Sequence, residues 1–125
     1  MPLLHVDVAW LLDVQEQAVP EDVSVADYSA LVAAVARHKT RIPRPATSDP
    51  DVAWRAAALF HSLVRLEPLP FRNSLYACQV VAAYMHASGE GIDPPYGALV
   101  ELVRDVQSGK VNVYQAAEHI RGWRI

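Results

Sequence analysis

The chain of 125 residues has a single cysteine, Cys78. This excludes an intramolecular disulfide and any multi-cysteine zinc site. Glycine is scarce, at five residues, and none of it forms a glycine-rich phosphate loop. No apolar run approaches the length of a membrane span. The first residues lack the basic stretch and small-residue cleavage site of a signal peptide, so the expected location is cytoplasmic, without a membrane partner. Net charge is -3, from 11 Lys and Arg against 14 Asp and Glu. That balance argues against direct, bulk-electrostatic binding of nucleic acid. No pair of histidines has the spacing of an H-E-x-x-H helix, and no metal site is expected. Ser62 and Ser74 lack the Gly-x-Ser-x-Gly setting of a nucleophile elbow.

What is present is apolar and helical. Hydrophobic residues make up 52% of the chain and charged residues 20%, which excludes general disorder and predicts one folded domain over 1–125. The apolar residues recur at helical spacing, and no segment alternates as a strand. Leu3, Leu4, Val8, Leu11 and Leu12 form a first stripe that breaks before Pro20. Ser24 reads as the N-cap of a second helix carrying Tyr28, Leu31, Val32 and Val35, which frays into the basic run Arg37, His38, Lys39 and Arg41. Three prolines between residues 42 and 50 forbid a helix interior there and predict a basic loop or short extended flap. Asp49 and Pro50 read as the cap and first position of a third helix, through Val52, Leu59, Phe60 and Val64.

The run Glu67-Pro68-Leu69-Pro70-Phe71 breaks that helix. From Arg72 to about Ala87 the pattern is apolar almost all round, which predicts a buried central helix. Gly89, Gly91 and the pair Pro94-Pro95 end it. A fifth helix carries Leu99, Leu102, Val103 and Val106 and closes at Ser108-Gly109. A sixth opens on the capping box Asn112–Gln115. The fold class is therefore all-α, a bundle of about six helices.

Few residues point to chemistry on their own. His5, His38, His61, His86 and His119 read as surface or capping residues, with His61 in a structural hydrogen bond. Cys78 lies within the most apolar helix and reads as an inert core thiol. One place stands out. The loop from Glu67 to Phe71 feeds into a helix N-terminus at Arg72, Asn73 and Ser74, where backbone N–H groups and the Arg72 charge suit a small anion.

The layout resembles the Fic/Doc fold, and within it the Doc-type toxins of bacterial toxin–antitoxin pairs. That family's signature, His-x-Phe-x-Asp-(Gly/Ala)-Asn-Lys-Arg-Thr-Ala, enters a long buried helix. The matching stretch here runs from Glu67 to Ala77. The helix that follows, the segment Leu102–Ile120 and the opening Leu3–Leu12 are similar to the family's in order and length. The resemblance implies an eroded active site. Glu67 stands at the catalytic histidine position and Phe71 at the acidic, magnesium-binding one. Arg72 replaces a small residue, Asn73 keeps the motif asparagine, and Ser74 and Leu75 replace the phosphate-binding lysine and arginine.

Family members transfer a nucleotidyl or phosphoryl group from ATP, with magnesium, to a protein hydroxyl. Such a step needs a base, a metal and cationic stabilisation of phosphate oxygens. With several of these replaced together, no cofactor is expected. The implied role is a toxin component acting mainly by binding protein, namely a small antitoxin and a target. Arg41 and Arg44 lie where the family places its partner-binding flap. Two alternatives stand beside it. One is a transferase with a reworked site, using Glu67 as base, Asn73 to orient and Arg72 as anion clamp. The other is a helical adaptor.

Overall fold

The computed structural model describes residues 4–19, 23–40 and 51–125. They form six helices: α1 (Val8–Ala18), α2 (Tyr28–His38), α3 (Val52–Leu66), α4 (Asn73–Ala87), α5 (Ala98–Gln107) and α6 (Val113–Trp123). Among the described residues the only β-type pairing is an isolated bridge between Ile92 and Arg124. The protein is an all-α bundle.

Side-chain caps set most of the helix starts. Asp7 accepts from Trp10 N at 2.9 Å, and Asp51 accepts from Trp54 N at 2.8 Å. Each satisfies an N–H that the first turn leaves without a partner. Asn112 and Gln115 form the reciprocal capping box expected from their spacing. Asp27, not Ser24, caps α2, because its carboxylate reaches the Ser29 N–H at 3.0 Å. The cap of α3 is Asp51, and Asp49 and Pro50 lie outside the described residues. Leu4 precedes α1 and lies outside the helix, and Leu3 lies outside the described residues. At the other ends, Gly89 and Gly109 take φ of 80° and 81°, a left-handed conformation that costs glycine little. In each case the next N–H reaches back to the last turn, Glu90 to Met85 and Lys110 to Asp105.

The helix enclosed on nearly all sides is α3. Residues 53–60 and 62–64 are all buried, and its neighbours are α2, α4, α5 and α6. Ala53, Ala56, Ala57 and Ala58 are small enough to let several helices approach one axis. The segment expected at the centre, about 72–87, is α4. It buries one face, Tyr76, Ala77, Val80, Val81, Tyr84 and Met85, against α3 and α1. Cys78, Ala82 and Ala83 remain partly exposed. Small side chains on that outer face made the helix read as apolar all round while exposing little apolar area.

Polar groups bind the layers together. Tyr76 Oη donates to the Leu11 carbonyl at 2.6 Å, and Tyr84 Oη donates to the Leu4 carbonyl at 2.6 Å. Arg121 forms a two-pronged pair with Asp51, Nε to Oδ2 at 2.8 Å and Nη2 to Oδ1 at 2.9 Å, tying α6 to the start of α3. Burial pushes the Asp51 carboxyl up, but hydrogen bonds from Arg121 and Trp54 and the Arg121 charge outweigh it, so the net shift is downward.

His38 corrects the expectation of surface histidines. It is fully buried at the end of α2, where fraying was expected. Its Nδ1 lies 3.0 Å from the Arg55 carbonyl oxygen, which can only accept. Its Nε2 accepts from the Val6 N–H at 3.1 Å. These two partners fix the neutral ring with its proton on Nδ1. Arg55, also buried, donates from Nη1 to the carbonyls of His38 and Thr40. Burial, helped by the Arg55 charge and opposed by the bond to the Arg55 carbonyl, pushes His38 down to about 4. His61 accepts at Nδ1 from Arg37 Nη1 at 3.1 Å, the structural hydrogen bond expected of it. Burial first, then the charges of Arg37 and Arg65, lower it to about 4 as well.

Candidate functional site at the α3–α4 junction

The turn between α3 and α4 is held in an uncommon backbone conformation. Glu67, the C-cap of α3, has φ 48°, and Arg72, the N-cap of α4, has φ 69°. These are the positive-φ residues other than glycine among the described residues. Left-handed non-glycine residues cost of the order of 1–3 kcal/mol and persist where the surroundings over-determine them. The surroundings do so here. The Pro68 carbonyl accepts from the N–H groups of Ala26 and Asp27, at 2.8 and 3.0 Å. Leu69 is buried in the core. The Asn73 side chain makes two bonds to the Leu69 backbone, Nδ2 to its carbonyl at 2.8 Å and Oδ1 from its N–H at 2.9 Å. The loop is therefore clamped at Pro68 by the start of α2 and at Leu69 by the first residue of α4.

This clamp brings the expected site residues together. Glu67, Arg72, Asn73 and Ser74 share an open surface pocket of about 370 Å³ with Pro70, Phe71, Leu75 and Gln107. Glu67, Phe71, Arg72 and Ser74 are exposed, and Asn73 and Leu75 are half-buried. Sequence reasoning missed Gln107, which comes from the last turn of α5; no local pattern near residue 107 marks it. Asn73 makes one hydrogen bond at each end of its side-chain amide to Leu69, and so shapes the loop. Arg41 and Arg44 lie outside the described residues.

The chemistry available is that of one carboxylate, one guanidinium, one hydroxyl and a helix N-terminus. The pocket's rim suits a small anion beside Arg72 and Ser74, with Glu67 opposing a highly charged one. A magnesium–nucleotide does not fit this set. Phe71 has no ligand atom at the position where the resemblance requires a carboxylate, and Leu75 has no charge where it requires a cation. Among the described residues, no group of three His, Cys, Asp or Glu side chains is placed to hold a metal. No helix is long and apolar enough to cross a membrane among those residues.

Comparison with protein-family models and with curated proteins finds no match to this chain.

Proposed function

We propose that the protein is a Doc-like toxin component with a degenerate Fic active site, acting in a bacterial cytoplasm chiefly by binding a small antitoxin-like protein. The observation that carries this reading is the α3–α4 junction. A fixed loop leads into a helix N-terminus at the register where the eroded motif falls, from Glu67 to Ala77. The motif's asparagine is present as Asn73, and it braces the loop. Arg72 sits in a left-handed conformation where the family has a small residue. The order and spacing of the helices around this junction support the same reading.

A second reading is a transferase with a reworked site. It is favoured by the pocket, whose lining includes Glu67, Arg72 and Ser74. The two separate in a transfer assay with labelled ATP and magnesium. A general base alone contributes roughly 10²–10⁴-fold, and here the metal ligand and cationic clamp are replaced as well. Transfer of phosphate or AMP to protein should be absent, and Leu75→Arg or Glu67→His alone should not create it. Labelling by the unmodified protein, abolished by Glu67→Gln, would establish the second reading in place of the first.

A further inference from the structure

A second concavity lies beside the junction, between α4 and α5. Its volume is about 530 Å³, within the range of roughly 300–1,000 Å³ typical of small-molecule pockets. Leu75 and Cys78 form one wall, and Leu99, Val100 and Val103 form the other. Val100 is 54% exposed, well above what its apolar side chain needs at a packed surface. Arg104 is the sole charged residue lining the groove. No carboxylate lies within ion-pair distance of its guanidinium among the described residues. Burial pushes the Cys78 thiol up, so that wall stays uncharged near neutral pH.

We propose that this groove binds an amphipathic monoanion, an aliphatic carboxylate whose chain lies along Leu75, Cys78, Leu99, Val100 and Val103 and whose head group pairs with Arg104. The walls are almost wholly apolar, and Arg104, exposed at the surface, is the one charged residue among those lining them. Apolar walls remove the chain from water, at about 25 cal/mol per Å² of area covered. The guanidinium supplies a charge-assisted hydrogen bond that a neutral ligand would lack. Length argues against a protein helix as occupant. The lining part of α5, from Leu99 to Gln107, spans eight residue steps, or about 12 Å at 1.5 Å per residue. That is about two turns at 5.4 Å each, a shorter seat than the length of any helix in this bundle. The inference does not rest on the toxin-like reading.

The test is an NMR titration of the full chain with decanoate, with decanol as the neutral control, below the concentration at which either aggregates. Decanoate should give saturable shifts confined to amides of α4 and α5 around residues 74–78 and 99–104. Arg104→Gln should weaken decanoate about tenfold, the effect of one lost hydrogen bond to a charged group. The same change should leave decanol within about twofold, since decanol has no charge for Arg104 to pair with. Val100→Glu, at an exposed position, should weaken both ligands. No saturable shift, or an equal effect of Arg104→Gln on both ligands, would overturn the proposal. So would concentration-dependent self-association that Val100→Glu abolishes, because the groove would then belong to a second copy of the chain.

Discussion

Acid should unfasten this protein at His38. The ring is fully buried, and its two nitrogens are committed, one to the Arg55 carbonyl and one to the Val6 N–H. Protonation would place a second N–H against the Val6 N–H and a charge beside Arg55. The groups facing the ring are His5, Arg55, Lys39 and Tyr84, and the first three oppose a further positive charge. The folded ring titrates at about 4 against 6.5 for an unperturbed histidine. The depressed value means that the neutral form is favoured by folding. The contribution is therefore complete above pH 6.5 and is lost as pH falls from there through 4. At about 1.4 kcal/mol per unit, it amounts to about 3 kcal/mol, out of a typical total of about 5–15 kcal/mol.

Urea denaturation followed by circular dichroism at pH 7.5, 6, 5 and 4 measures it. His61 and the carboxylates also titrate in this window, so the comparison is with His38→Ala. That variant should be less stable at pH 7.5 by about 2–5 kcal/mol, since it leaves the buried Val6 N–H unpaired and opens a cavity. The difference between the two proteins should shrink by about 3 kcal/mol between pH 7 and 4. A difference that stays constant over that range would refute the argument. So would an imidazole NMR titration placing His38 near 6.5.

Two further substitutions probe the frame. Val81→Asp puts an unpaired carboxylate on the buried face of α4 and should abolish the cooperative thermal transition; an unchanged melting temperature would mean that this face is not packed. Asp51→Ala removes both the α3 cap and the partner of Arg121, and should cost about 1–2 kcal/mol in urea denaturation at pH 7. Because the Asp51 carboxyl titrates below its ordinary value, its contribution is present above that ordinary value and falls away as pH drops through the lowered one.

Helix number, type and most boundaries were legible because local signals carried them: apolar periodicity, the prolines of the breaks, the glycines after α4 and α5, and the Asn112–Gln115 box. The misplaced features depended on distant partners. Ser24 and Asp27 are both good caps by composition, and the clasp of Ala26 and Asp27 on the Pro68 carbonyl fixes which one is used. His38 sits in a basic run that looks solvated, and its burial follows from contacts with Val6 and Arg55, which are 32 and 17 positions away. One signal was available, a lone Arg55 between Trp54 and Ala56 on an apolar helix, since such a charge must be buried with partners or exposed. Which helix is central was also a long-range matter. Residue pattern could not distinguish an all-apolar helix with small outward residues, α4, from one surrounded by four others, α3. At the candidate site, the grouping of Glu67, Arg72, Asn73 and Ser74 was legible because all four lie within one turn and one loop. The engagement of Asn73 by Leu69 and the approach of Gln107 from α5 were not.

The central claim is that the protein works by holding a partner chain. Its most direct test is co-purification with the product of a short reading frame adjacent to its own gene, using wild type and a variant with Arg41 and Arg44 both changed to Glu. The account predicts a stable complex with the wild type. It predicts a weaker one with the variant, whose circular dichroism spectrum should be unchanged. No complex with the adjacent product, or a complex of equal affinity with the charge-reversed variant, would contradict it.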